Sequence, residues 1–183
     1  MNYYIDVQLK PDAEMRENVL LNKVYTKLHK ALVSMCSTDI GVSFPCYRIK
    51  LGDVIRIHGS KENLSDLQAS QWIGGLSGYC DVASISTIPE GAMHRMVFRK
   101  QANKTAAKLR RLIKRDSIPN EKIKPYKAQM YAESLDNPYL ELESSSNGFK
   151  HRRFIAFGEL GGEAITGSFD QFGLSKSATI PWF

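Results

Sequence analysis

The chain has 183 residues, 43% of them hydrophobic, with a formal net charge of +6. That is enough apolar material for one ordinary core or two small ones. No apolar run approaches the roughly 20 residues that span a bilayer, and Met1–Asp6 lacks the basic and apolar regions of a signal peptide, so the expected location is cytoplasmic. The positive charge is local. Between Gly91 and Arg115 stand nine of the 25 basic residues and no Asp or Glu, which leaves 16 basic against 19 acidic residues elsewhere.

In chain order, Tyr3–Leu9 alternates and stops before Pro11, as a strand does. A long helix is predicted from Glu14, with Leu21, Val24, Leu28, Ala31, Leu32 and Met35 forming one apolar stripe. Gly41–Pro45 reads as a short strand and Val54–His58 as another. Asn63–Leu76 is helical in pattern, with Leu64, Leu67 and Trp72 toward the core, and decays at Gly74-Gly75. Tyr79–Ile88 returns to a strand and ends at Pro89. The order β-α-β-β-α-β predicts a ferredoxin-like (RRM-like) domain over residues 1–91.

Residues 92–183 predict a second α+β half. Met93–Gln101 reads as a strand running into a basic helix, and Pro119–Glu133 holds another helix interrupted or started near Pro125. Tyr139–Ser144 alternates, with Leu140 and Leu142 on one face, and Arg153–Phe157 is a further strand. Gly161-Gly162 is a turn, and Ala164–Ser168 and Ala178–Trp182 are short extended pieces.

The acid-free stretch carries the clearest chemistry. On a helix from Lys104 to Arg115, Lys104, Lys108, Arg111 and Arg115 fall within about 60° of one another. Arg110 and Lys114 widen that stripe, Ala106, Leu109, Leu112 and Ile113 form a docking face, and Asn103 can cap the start. Solvated helices ordinarily mix signs, because i,i+4 ion pairs support them and like charges weaken them. A face of cations alone suits a polyanion, and with no Trp or Phe to anchor in lipid, nucleic acid fits better than a membrane.

Other candidates are single residues. His29 sits about 110° from the centre of its helix's apolar stripe, on a shoulder where packing can hold it and a cleft can reach it. The plain reading is a half-buried structural histidine. Ser144-Ser145-Ser146-Asn147-Gly148 is a turn by composition, yet its hydroxyls, beside Lys150-His151-Arg152-Arg153, can also bind phosphate. Gly173-Leu174-Ser175-Lys176 lacks Walker spacing and reads as a loop closure. Cys36, Cys46 and Cys80 form no Cys-x-x-Cys pair and read as buried thiols in a reducing compartment. The four histidines make no His-x-His or His-Glu-x-x-His, so metal chemistry has no support in the sequence.

Taken in order, Lys27-Leu28-His29-Lys30-Ala31-Leu32, Ile40-Gly41-Val42-Ser43-Phe44-Pro45, Arg99-Lys100-Gln101-Ala102, Leu109-Arg110-Arg111, Phe172-Gly173-Leu174-Ser175-Lys176 and Pro181-Trp182-Phe183 resemble the Csy-type, type I-F CRISPR repeat-processing endoribonucleases. The resemblance covers nearly the whole chain. It implies a metal-independent ribonuclease without cofactor. Such an enzyme cuts precursor RNA at the 3′ base of a repeat stem-loop by 2′-oxygen attack, leaves a 2′,3′-cyclic phosphate and a 5′-hydroxyl, and keeps the product hairpin. By this resemblance His29 is the catalytic histidine. Ser144 positions the 2′-hydroxyl and Ser146 contacts RNA nearby. Arg99 and Gln101 read base edges at the foot of the stem. Arg110, Arg111, Lys114 and Arg115 match the basic helix laid in the hairpin's major groove, and Lys104 and Lys108 join them on the cationic face by helical spacing. Membership of a type I-F surveillance complex follows as an expectation.

The chain departs from the family's pattern in three places. Phe172 stands where relatives often have Tyr, so it can orient His29 only by packing. His151 replaces a Phe that stacks beneath the stem and can itself stack on a base. The basic helix is one residue shorter and exchanges some Arg for Lys, which keeps charge but loses the bidentate fork. Two rival readings remain at this stage: a non-catalytic RNA-binding module, and a structural subunit that has lost cleavage.

Overall fold

The computed structural model describes residues 1–101, 104–132, 135–143 and 148–183. The first half runs β1 (Tyr3–Leu9), α1 (Glu17–Ser34), β2 (Gly41–Ser43), β3 (Val54–Gly59), α2 (Lys61–Ala69), a 3-10 turn (Gly74–Tyr79), β4 (Cys80–Val82) and β5 (Ser86–Thr87). The second runs β6 (Met93–Arg95), β7 (Val97–Lys100), α3 (Ala106–Lys114), α4 (Asn120–Ala132), β8 (Tyr139–Glu143), β9 (Lys150–Phe157) and β10 (Ile180–Trp182). The strands form antiparallel sheets ordered β2-β3-β1-β4, with β5 also on β1, then β10-β6 and β7-β9-β8.

Alternation on β1 buries Ile5, Val7 and Leu9, and the pairings Ile5 with Ile57 and Val7 with Ile55 put apolar side chains side by side. On them lies α1, which buries Leu20, Leu21, Val24, Tyr25, Leu28 and Leu32. Each such Leu or Val contributes about 1.5–3 kcal/mol by leaving water. The buried cluster continues into the second half through Val97, Leu140, Leu142, Ile155, Leu174 and Ile180. Arg95 also joins the halves. It donates to the Gly158 carbonyl and the Tyr47 hydroxyl, and its guanidinium lies against the rings of Tyr47, Phe157 and Trp182.

Several boundaries differ from the sequence reading for local reasons. Helix α1 begins after Glu14, because the Asp12 carboxylate accepts from the N–H groups of Glu14 and Met15 and closes a turn first. Helix α2 starts earlier than predicted, capped by Ser60, which accepts from Asn63 N at 3.1 Å. It stops at Ala69, just before Gln71 takes a φ of 48°. The predicted Tyr79–Ile88 strand is two short strands on β1, whose register slips by one residue between Val7–Val82 and Tyr3–Thr87. The predicted Met93–Gln101 strand breaks at Met96, so β6 joins β10 and β7 joins β9. Ala164–Ser168 is no strand; Ile165 is tied by two hydrogen bonds to Thr179. Cys36 and Cys46 are exposed and only Cys80 is buried, which corrects the reading of all three as buried.

One polar pair lies in the core. His58 is fully buried, and its Nε2 lies 2.8 Å from the Ser43 hydroxyl while Nδ1 has no partner. Burial, reinforced by the nearby Arg56 and His94, lowers its pKa to about 3.

Candidate functional site

His29 projects from the shoulder of α1 and is half-buried. Its Nδ1 lies 2.8 Å from the Gln171 carbonyl oxygen. Because a carbonyl only accepts, Nδ1 donates, and in the neutral ring Nε2 is then left with the lone pair. The imidazole stacks on Phe172 with ring centres 3.7 Å apart and planes 7° from parallel.

The turn that supplies Gln171 and Phe172 is held from several directions. Asp170 accepts from the N–H groups of Phe172 and Leu174 through one carboxylate oxygen. Tyr25, one α1 turn before His29, donates to the Phe172 carbonyl at 2.6 Å. Burial, and secondarily Asp170, pushes that phenol far above its ordinary pKa, so it remains a donor. Gly173 has a φ of 68°, and its carbonyl accepts from Val42 N at 2.8 Å. A Cβ at Gly173 would fall inside the Val42 side chain, so only glycine lets the turn seat on β2. The loop-closing reading of this segment therefore describes its contacts.

Arg153 of β9 lies on the same aromatic ring, its guanidinium carbon 3.4 Å from the Phe172 centre. Two groups that close to one centroid cannot share a face. The ring is therefore sandwiched between Arg153 and His29.

A cleft of about 720 Å³ lies beyond, lined by Arg99, Lys100, Gln101, Thr105, Lys108, Arg111, Leu112, Arg115, Arg152 and Phe154. Helix α3 frames one side. Thr105 caps it by accepting from Lys108 N at 3.1 Å, in place of the expected Asn103, which lies outside the described residues. Lys104 precedes the cap and so leaves the predicted helical stripe. The docking face is narrower than predicted: Leu109 is buried, but Ile113 is 47% exposed. On β7 and just after it, Arg99 and Gln101 meet. With its amide oxygen toward Arg99, Gln101 accepts from both terminal guanidinium nitrogens at 3.2 and 3.3 Å. A second cleft, about 430 Å³, shares Arg99 and Gln101 and is walled on the other side by Ser168–Asp170 and Leu174–Ser177. The cationic groove thus reaches the turn that carries Phe172.

Of the residues singled out from sequence, the cleft gathers Arg99, Gln101, Lys108, Arg111 and Arg115. Arg110 and Lys114 are exposed on α3 outside it, and His151 is exposed on β9. His29 and Phe172 stand together at the stacked corner. Ser144 and Ser146 lie outside the described residues. Sequence reasoning missed Tyr25 and named Arg152 and Arg153 only as part of a basic run. For Arg153 a signal existed: the alternating series Arg153, Ile155, Phe157 puts a cation in line with core residues.

These features define an α+β protein with an oriented imidazole joined to a cationic cleft. The family model described as CRISPR-associated protein (Cas_Csy4) matches residues 4–183. A protein of Escherichia coli (strain UTI89 / UPEC), named CRISPR-associated endonuclease Cas6/Csy4, is 35% identical over 184 residues, covering all of both chains. One of the same name from Pseudomonas aeruginosa (strain UCBPP-PA14) is 36% identical over 187 residues, again covering both completely. The chain belongs to the Cas_Csy4 family of CRISPR-associated proteins.

Proposed function

We propose that the protein is an endoribonuclease that binds the stem-loop of a CRISPR repeat in precursor RNA, cuts at the 3′ base of the stem without a metal ion, and retains the product hairpin. The names of the relatives support the nuclease class. The observation that carries the mechanism is the His29 hydrogen bond to Gln171, which fixes the tautomer. Nε2 takes the proton of a ribose 2′-hydroxyl, and the 2′-oxygen attacks the adjacent phosphorus. The P–O5′ bond breaks, and the departing oxygen receives a proton. The products are a 2′,3′-cyclic phosphate and a 5′-hydroxyl. Phe172 holds the imidazole plane, and Ser144, with Ser146 beside it, is assigned to the 2′-hydroxyl and its flank by resemblance.

The groove supplies affinity and register. Lys108, Arg111 and Arg115 face phosphates of the stem, with Lys104, Arg110 and Lys114 adding to the field. Arg99 and Gln101 offer the paired groups that suit guanine and adenine edges, and His151 offers a stacking plane. The order β2-β3-β1-β4 with two helices supports a ferredoxin-like unit over residues 1–91, with 92–183 as the RNA-binding half. Assembly into a type I-F surveillance complex completes the reading.

Incubation with the cognate repeat hairpin in EDTA tests it. The expected result is a single cut leaving a cyclic phosphate, and a hairpin with 2′-deoxy at the scissile nucleotide that binds uncut. Binding of the all-ribo hairpin with no cut would make the protein a hairpin-binding module instead.

A further inference from the structure

Arg153 is placed where RNA binding gives it no reason to be. It is 6% exposed, its Nε is buried without a partner, and among the described residues its side chain forms no ion pair or hydrogen bond. Burial, then the like charge of Arg99, holds its pKa below the ordinary arginine range, with Tyr25 and Asp170 opposing more weakly. A buried cation in such surroundings is ordinarily replaced by an apolar residue or given a carboxylate. What Arg153 touches instead is the face of Phe172 opposite His29.

The bonds around Phe172 leave a gap that Arg153 fills. Tyr25 and Asp170 bond its backbone, through the carbonyl and the N–H. The Tyr25 ring, nearly parallel to the phenyl ring at 6.3 Å between centres, lies farther from it than His29 or Arg153 does. The single hydrogen bond at Nδ1 leaves the His29 plane free to tilt about it. The close stack, with a flat group on each side of the phenyl ring, sets both planes.

We propose that Arg153 is a positioning residue for cleavage, its guanidinium clamping Phe172 from behind so that the His29 imidazole stays at the angle at which Nε2 meets the RNA 2′-hydroxyl. The clamp rests on His29 being the proton carrier. A guanidinium suits the task because it is planar, always charged and attracted to an aromatic face. Its effect belongs to the rate of the cut and not to affinity.

The test uses the full chain, the cognate repeat hairpin for single-turnover cleavage, and the 2′-deoxy hairpin for affinity. For Arg153→Met the cleavage rate should fall about 10- to 100-fold, the range that misplacing a reacting group produces. The Kd for the deoxy hairpin should stay within about twofold, because a buried residue contributes little to counterion release. The Tm should hold or rise, since an unpaired buried charge has been removed. Arg153→Lys, which keeps a cation on the ring, should recover part of the rate. In a Phe172→Leu background, Arg153→Met should change the rate no further. If Arg153→Met does not fold, Arg153→Gln carries the same expectations. A wild-type rate, a loss of rate matched by an equal loss of affinity, a Tm that falls with the rate, or additive losses with Phe172→Leu would each overturn the clamp. His29→Ala separates the two readings. Full cleavage by that variant overturns the role of His29, whereas an inactive His29→Ala beside a fully active Arg153→Met overturns the clamp alone.

Discussion

His29 is held by a carbonyl and a ring from a turn some 142 positions away in sequence, whereas Lys108 and Arg111, with Arg115 at the C-cap, enter their cleft from one nine-residue helix whose only buried residue is Leu109. The first region is assembled from packing: Phe172 is sandwiched, Tyr25 is buried, and Gly173 touches β2. The second is assembled from charge, with no acid anywhere in α3. The contrast matches the roles proposed for the two regions. Proton transfer needs reacting atoms placed within a fraction of an ångström. Phosphate attraction acts over the Debye length and tolerates side chains that swing. One region should therefore fail by displacement and the other by dilution with salt.

Substitutions can pull the two apart. His29→Ala should slow single-turnover cleavage by about 10²–10⁴-fold and leave hairpin affinity within about twofold; an equal loss of both would erase the contrast. Gly173→Ala strains a left-handed backbone position and overpacks Val42, so it should destabilise the fold by about 2–4 kcal/mol in denaturant titrations. In protein that remains folded, the cut should suffer before the affinity does. Replacing Arg111 and Arg115 together by Ala should weaken binding about 10- to 100-fold, and flatten a log–log salt slope of roughly −3 to −5 by about 1 to 2. Hairpin already bound should still be cut at the normal rate, and a slower cut would tie the groove to the chemistry.

The smallest effect concerns the strand pair under the turn. His58 is held near 3, below its ordinary 6.5, so the unfolded chain takes up the proton first. Its contribution to stability is complete above pH 6.5 and is lost as pH falls toward 3. Between pH 7 and 5.5 the loss should be about 1 kcal/mol in chemical unfolding, and His58→Gln should abolish that difference. A pH-independent stability would mean that His58 is not held neutral.

What the sequence disclosed follows the same division. Charge is additive and needs no fold to be counted, so the acid-free stretch and its cationic helix were legible at once. Periodicity placed β1, α1 and β3, and it put His29 on a helix shoulder. The failures came where a single local group outweighed a pattern. Asp12 delayed α1 by closing a turn, Thr105 displaced Asn103 as a cap, and Met96 split one strand between two sheets. Phe172 was legible only through resemblance, because nothing local marks a turn that closes on a helix far upstream. Arg153 was hidden by its neighbours: in Lys150-His151-Arg152-Arg153 a basic run looks solvated until strand alternation is applied residue by residue.

The hydrogen bond from His29 to Gln171 also sets an order of events in time. A chain emerging from the ribosome at about 5–20 residues per second holds His29 for roughly 7–28 s before Gln171 is made. During that interval the imidazole has neither its carbonyl nor its ring. The basic stretch, by contrast, is synthesised well before the turn. On the proposed function, the cationic stretch is thus in place before the imidazole is oriented, and cutting waits until the turn seats on β2.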